Sequence, residues 1–448
     1  MRIANPDRGT LMGQGRSHGA GEWAGWDRRA AISMDQGDFT MKRTKFWWAL
    51  VASISIFFSG CDAVPPDPAG ERIEVGQGAE GPLPAILSDA EKALVAESRV
   101  SPRIYRYRHP EIYGFTPPPE NPVRRFGEFE PVDTLFIAYP GWISMDPLYG
   151  DLIEGVYQSA RLKILVETAQ QKDLLYDLLR RRKIPRDGVE IVEGIPYDSM
   201  WMRDYGPQAV IEGAGDVAYI DTRYYIPRVE DDAVPTLLSE EEGDLAVYRP
   251  DLWSEGGNFF ANGEGICFTT NYLAEQNGGS KEEVAAILHD YFGCEETHFL
   301  RQLEGNVIAH IDMFFYLAAP DTILLGEYTP EQDAKNYEIL EEDYALLSRL
   351  TTRDGTPFTI IRVPMPSHIK VPVPGATLPV IRTYMNMVAV NDVVLVPVYL
   401  QEPEREAEAL DIIQSAFPDR RIVPIPSDLI ARLYGAIHCI TQTTPRLQ

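Results

Sequence analysis

Short apolar runs rich in valine, isoleucine and leucine recur along most of the chain. Between them lie segments whose apolar positions return every three or four residues. DTLFIAYP (133–140), RLKILVET (161–168) and VEIVEGI (189–195) read as strands, with KDLLYDLLRRR (172–182) as a helix between the last two. Farther on, GICFTT (265–270) precedes KEEVAAILHDYF (281–292), and VVLVPVYL (393–400) precedes EREAEALDIIQSAF (404–417) and then RIVPIP (421–426). Strands separated by helices of this length predict an α/β fold.

A finer repeat lies inside this alternation. GPQAVIEGAGDVAYIDT (206–222), GNFFANGEGICFTT (257–270), MFFYLAAPDTILLGEY (313–328) and YMNMVAVNDVVLVPVY (384–399) each read as two strands around a short turn. The unit is hairpin, helix, strand. A polar residue stands just before or at the start of each hairpin: Asp204, Asn258, Asp312 and Asn386 in turn, with Cys439 opening the last strand. Their separations are 54, 54, 74 and 53 residues, the long one spanning PEQDAKNYEILEEDYALLSRL (330–350). Units arranged about an axis would bring these positions to one pole. That gathers two carboxylates, two amides and a thiol, with His310 two places before Asp312 and, on a strand, on the same face.

Composition places this repeat in a globular chain of 448 residues, 44% hydrophobic, with a net charge of −26. The acidic balance excludes a nucleic-acid partner and favours cationic small molecules or peptides. MKRTKFWWALVASISIFFSGC (41–61) has a basic start and an uncharged apolar run too short for a membrane span, which reads as an export signal. Its FSGC ending is similar to a lipoprotein signal with Cys61 as lipid anchor, although Phe58 stands where an aliphatic residue is usual. A buried core helix is the alternative, disfavoured by the basic flank and the Pro-rich DAVPPDPAG that follows. Residues 1–40 then read as an extension from an early start, 62–100 as a tether with one helix in SDAEKALVAES (88–98), and 101–448 as the folded domain. The expected location is outside the cytoplasm, with membrane contact only through that anchor. Three further cysteines remain, Cys267, Cys294 and Cys439, an odd number in an exported chain. Cys267 and Cys294 could pair; no CxxC or HExxH motif supports a zinc or dithiol site.

The clustered residues restrict the chemistry. Cysteine is a good nucleophile as thiolate, and flanking carboxylates oppose its ionisation unless a cation sits between them. A guanidinium suits that gap, being planar, permanently charged and able to pair with two carboxylates. Its central carbon would face the sulfur, and His310 could protonate a departing nitrogen. Each residue also has a structural alternative: Cys439 and His310 as interior packing, Asp204 as a turn-former, Glu255 and Asn258 as parts of a tight hairpin around the Gly-Gly pair. His438 would face away from the site on a regular strand.

Five motifs, MWMRDYGP (200–207), SEGGNFF (254–260), AHIDM (309–313), TYMNM (383–387) and AIHCITQ (436–442), occur in this order. Together they resemble those of the agmatine deiminase and Porphyromonas-type peptidylarginine deiminase family, from about Tyr105 to the end. The resemblance implies a five-bladed propeller of pseudo-symmetric ββαβ-type units. It implies Cys439 as nucleophile, His310 as general acid and then base, and Asp204 and Asp312 as guanidinium clamp. Glu255 would support the histidine, Asn386 would steady the site, and Trp201 would wall the substrate's alkyl chain. The implied reaction runs through a thiouronium on Cys439 to a ureido product and ammonia, with no organic cofactor and no catalytic metal expected. The family's peptidylarginine members carry two arginines after the RD motif that serve C-terminal arginine; here Ile226 and Arg228 take those places, and Arg223 could substitute. The family's aromatic residue before HxD is absent, Val307 and Ile308 occupying that stretch. YDSMWMRDYGP (197–207) is closer to the peptidyl branch, which favours arginine peptides over agmatine. A non-catalytic arginine-binding lipoprotein, or a cysteine peptidase using Cys439 and His310, are the competing readings.

Overall fold

The computed structural model describes residues 82–96, 110–373 and 376–447, which belong to one compact unit, 71–448. The expected extension 1–40, the export signal with Cys61 and the tether up to residue 81 lie outside the described residues.

The apolar runs form strands, arranged as repeats of one plan. β1 (Val132–Ala138), β2 (Arg161–Val166) and β3 (Glu190–Glu193) are parallel neighbours. β4 (Gln208–Glu212) and β5 (Asp216–Ile220) form an antiparallel hairpin, and β6 (Ala246–Tyr248) returns parallel to β5. The same pattern follows in β7 (Phe259–Ala261), β8 (Ile266–Thr270) and β9 (Glu296–Leu300). It recurs in β10 (Phe315–Ala319), β11 (Thr322–Glu327) and β12 (Thr359–Pro364), and again in β13 (Val388–Val390), β14 (Val393–Val398) and β15 (Arg421–Pro426). Each parallel return needs a crossover. Helices Val229–Glu241, Lys281–Phe292, Pro330–Leu347 and Pro403–Ala416 supply it in turn.

Local chemistry marks those helices. Thr168 with Gln171 and Thr329 with Gln332 form capping boxes, and Ser280 caps Lys281–Phe292 through the amide of Glu283. Gly293 ends that last helix at φ 72°, with Val123 O only 2.0 Å from where a Cβ would sit, so a side chain is excluded twice over. β13 and β14 are buried at every position, which is why their sequence is continuously apolar rather than alternating.

The chain end is structural. β16 (Gln442–Pro445) pairs antiparallel with β1, setting Gln442 opposite Phe136 and Thr443 opposite Leu135, so the last strand completes the first sheet. The Asn391 side chain, in the β13–β14 turn, bonds the amide and carbonyl of Val132, both at 2.9 Å. Among the described residues, strand-to-strand ladder hydrogen bonding does not run on from one of these sheets to the next.

Two features depart from expectation. The 74-residue spacing was assigned to the helical segment, but between β12 and β13 an added two-stranded ladder, Ile369–Val373 with Ala376–Val380, accounts for much of it. Residues 82–96, expected as tether, lie against the domain: the Ala85 amide donates to Leu433 O at 2.8 Å, and Ala85 is buried. Cys267 and Cys294 are bridged, fastening β8 to the second residue after helix Lys281–Phe292, and Cys439 is left as a buried free thiol. Closing a loop of this length is worth about 3 kcal/mol.

Deleting residues 442–448 would strip β1 of its antiparallel neighbour and open one side of the buried Leu135 and Phe136, whose full burial is worth ~1.5–3 kcal/mol each. That is a large share of the total stability of a domain. We expect the truncated chain to lose its cooperative melting transition by circular dichroism; a transition within a few degrees of the full chain would contradict this.

Candidate active site

Five short turns carry the residues that meet, four leading into the first strand of a hairpin and the last into β16. Asp204 lies in Met202–Tyr205, Asn258 in Gly256–Asn258, Asp312 in Ile311–Met313, Asn386 just before β13, and Cys439 in His438–Ile440. His310 and Asp312 therefore do not share a strand face: His310 is the extended residue capping a helical turn (φ −79°, ψ 147°) that holds Asp312. Cys439 likewise sits in a turn, with the strand starting at Gln442. The Gly-Gly pair is not a hairpin tip but part of the turn entering β7.

The site residues are buried together. Asn386 Nδ2 donates to Cys439 Sγ at 3.1 Å, and that sulfur lies 3.6 Å from Asp312 Oδ2. His310 Nδ1 is 3.6 Å from Asp204 Oδ1, and its Nε2 is 4.0 Å from Glu255 Oε2. Glu255 is held from behind by Gln276 Nε2, 3.3 Å from Oε1. The two amides share one task. Asn386 Oδ1 accepts the His438 and Cys439 amides at 3.0 and 3.3 Å, while Asn258 Oδ1 accepts the Thr270 and Ile311 amides at 3.3 and 3.1 Å. Each asparagine thus grips the turn of the following unit, one holding the thiol and the other the histidine.

Gly257 stands where three groups converge. A Cβ there would fall 2.7 Å from His310 Nδ1, 2.8 Å from Asp204 Oδ1 and 2.9 Å from Asp312 Oδ2, so only glycine lets them approach. Its own amide donates to Asp204 Oδ1 at 3.2 Å.

Electrostatics follow from packing like charges in a dry place. Burial pushes the Asp204 carboxyl up to about 7; His310 counters this, while Asp312 and Glu255 add to it. Burial also pushes the Cys439 thiol well up, Asp312 and Asp204 push it further, and Asn386 opposes them. Both ring nitrogens of His310, Asp312 Oδ1 and Glu255 Oε2 are buried without a hydrogen bond. Buried polar atoms left unbonded are costly; a cation that donates hydrogen bonds would satisfy the oxygens and favour the thiolate together.

Other predicted residues sit at the margin. Trp201 is buried, its Nε1 donating to Leu83 O at 3.0 Å, and only Gly435 separates its ring from Cys439. Arg228 is buried and its donors are engaged: Nε with Glu91 at 2.8 Å, Nη2 with Pro84 O at 2.8 Å and Ile86 O at 3.0 Å. Sequence reasoning missed Glu128, Arg203 and the reach of His438. His438, expected to face away, places Nδ1 2.8 Å from Asp312 Oδ2 because the residue lies in a turn. Arg203, beside Asp204 in the RD motif, offered a signal; Glu128, in an irregular stretch before β1, offered none.

Comparison with known proteins places the chain in a family. The family model for Porphyromonas-type peptidyl-arginine deiminase matches residues 124–445. An agmatine deiminase of Ectopseudomonas mendocina is 28% identical over 298 residues, covering 60% of this chain and 80% of the relative. One of Pseudomonas aeruginosa is 28% identical over 295 residues, covering 59% and 79%. The solved agmatine deiminase of Enterococcus faecalis superposes with a TM-score of 0.63 at 26% identity, over 72% of this chain and 96% of that one. The turns that bring Cys439, His310, Asp204 and Asp312 together all fall within the matched span, and the chain belongs to the Porphyromonas-type peptidyl-arginine deiminase family, hydrolases of amidine carbon–nitrogen bonds.

Proposed function

We propose that the chain is a guanidinium deiminase that converts arginine residues in peptides, or agmatine, to the ureido product and ammonia through a covalent thiouronium on Cys439. The observation that carries this reading is one thiol 3.6 Å from a buried carboxylate, beside a second carboxylate that a histidine approaches to 3.6 Å. Asp204 and Asp312 hold the guanidinium between them, and its charge favours the Cys439 thiolate that the empty clamp disfavours. The sulfur attacks the guanidinium carbon; His310 gives a proton to one nitrogen, which leaves as ammonia. Water then adds to the thiouronium as His310 takes its proton, and expulsion of the thiolate leaves the ureido group. Glu255 supports His310, and Trp201 packs near the nucleophile's turn where an alkyl chain would pass.

Agmatine deiminase proper is the second reading, favoured by the names of the relatives and by the engagement of Arg228 with the chain's own Glu91. The five units support a five-bladed propeller about one axis, with the site at the pole where the hairpin-leading turns meet. Export, with Cys61 as lipid anchor, is supported by the signal pattern and by the Cys267–Cys294 bridge, since disulfides persist in oxidising compartments.

Turnover should be measured on agmatine, free arginine, an internal-arginine peptide and a C-terminal-arginine peptide. At least one should yield ammonia and ureido product, reduced roughly 10³-fold or more in Cys439→Ser; undiminished turnover in that variant would sink the reading. A second expectation concerns protons. Below about pH 7 the empty site holds Asp204 protonated, and a bound cation favours its carboxylate. Binding to Cys439→Ser at pH 6–7 should therefore release a proton, seen as buffer-dependent heat that fades above pH 8 and is missing in Asp204→Asn. Heat independent of buffer would refute the assignment. For export, fractionated cells should contain a mature chain beginning at Cys61, with the 267 and 294 peptides linked in non-reducing mass spectrometry. A full-length, reduced cytoplasmic chain would overturn it.

A further inference from the structure

His438 meets a carboxylate through each ring nitrogen. Nδ1 lies 2.8 Å from Asp312 Oδ2 and Nε2 lies 2.9 Å from Glu128 Oε2. An ionised carboxylate only accepts hydrogen bonds, so with both ionised each ring nitrogen must carry a proton, and the ring is an imidazolium. Glu128 is firmly ionised. Arg203 Nη1 donates to its other oxygen, and despite burial the attraction of Arg203 and His438 holds the carboxyl at about 2. Burial and Arg203 both work against charge on His438, yet Glu128 and Asp312 outweigh them and raise its basicity.

Aromatic side chains flank the buried ring. Phe260 stacks on the imidazole at 5.4 Å and Tyr316 meets it edge-on at 6.2 Å. His438, Glu128 and Arg203 are all buried. The charged or titratable groups facing the ring are thus Asp312, Glu128, Arg203 and Tyr316, with Arg125 behind Glu128 and Cys439 next in the chain. Asp312 Oδ2 is also the oxygen 3.6 Å from Cys439 Sγ, and Oδ1 of the same carboxylate has no hydrogen-bond partner.

We propose that His438 is a positioning residue for the deimination: an imidazolium anchored by Glu128 and Arg203, it keeps Asp312 ionised and oriented, with one oxygen left for the guanidinium. The inference rests on the deiminase reading above. It divides the clamp into unlike halves. Asp312 faces a fixed cation of the protein, whereas Asp204 has only His310 at 3.6 Å and gains its full partner when substrate arrives. Without the imidazolium, Asp312 would be a buried carboxylate beside Asp204 that has lost the cation 2.8 Å from its Oδ2, which works against its charged form.

The test is ligand affinity against pH in the Cys439→Ser background, with agmatine and an internal-arginine peptide measured in parallel from pH 5.5 to 8.5. With His438 intact, affinity should fall about tenfold per pH unit below 7, one proton's worth from Asp204. His438→Gln should bind at least tenfold more weakly at pH 6, steepen toward two protons, and converge on the parent by pH 8.5. Equal affinity at every pH, or an equal loss at every pH as a merely structural role gives, overturns the proposal. If His438→Gln does not fold, Glu128→Gln, which leaves residue 438 in place, must show the same steepened profile, and a parallel one overturns it. In the unsubstituted chain, ¹⁵N spectra should show one buried imidazole protonated on both nitrogens at pH 8; its absence also overturns it. No binding of either ligand with His438 present would instead remove the deiminase reading itself.

Discussion

Mutual repulsion among Asp204, Asp312 and Glu255, buried around one thiol, is the constraint that organises this protein. At an effective dielectric near 20, like charges about 4 Å apart cost ~4 kcal/mol. The site meets this unevenly. Asp312 is given a cation through His438, Asp204 takes a proton near neutrality, and the thiol stays unionised while the clamp is empty. On the proposed deiminase reading, a guanidinium entering between the carboxylates would relieve every one of these terms together. The Cys439 thiolate would then be favoured once substrate is in place, which is how binding energy would come to favour the reacting state.

Holding like charges together demands rigid supports from outside the site. No single stretch of chain could do it, because neighbours in sequence would move apart to relieve the repulsion. Here each residue comes from a different hairpin-leading turn, anchored by a strand pair whose apolar burial far exceeds the local electrostatic cost. Asn258 and Asn386 then lock adjacent units, each accepting two backbone amides. The free thiol stands one turn before the chain's last strand for the same reason: β16 pairs with β1, so the end of the chain is as fixed as its middle.

What was legible in the sequence is what local physics determines. Hairpins show in paired apolar runs around Pro-Asp, Asn-Asp or Gly-rich turns, helices in apolar positions that return every three or four residues, and the meeting of Asp204, Asn258, Asp312, Asn386 and Cys439 in their spacing. Turn geometry was not legible. His310 and Cys439 read as strand residues because both are flanked by isoleucines, and that misplaced His438 on the far side of the site. Long-range ion pairs were hidden as well, since nothing in SDAEKALVAES announces that Glu91 meets Arg228, 137 residues away. The odd cysteine count required one unpaired thiol without saying which; the structure gives it as Cys439, beside the 267–294 bridge.

Arg228 shows why matching a motif position is weaker than matching its surroundings. A guanidinium recognises a ligand carboxylate only with donors to spare, and it has five. Here Nε and Nη2 bond Glu91, Nη2 also bonds the carbonyls of Pro84 and Ile86, and Nη1 lies 3.4 Å from the Tyr224 hydroxyl. Glu91 is fully buried, and its carboxylate lies below the usual range because Arg228 outweighs the cost of burial. Breaking such a pair exposes two desolvated charges, a penalty of several kcal/mol that a substrate carboxylate would first have to repay. The segment around Glu91 also accepts the Trp201 hydrogen bond through Leu83, so displacing it would disturb the wall beside Cys439. With residues 82–91 seated, Arg228 anchors the chain's own N-terminal segment, and on the proposed reading it would be free for a substrate carboxylate only if that segment moved.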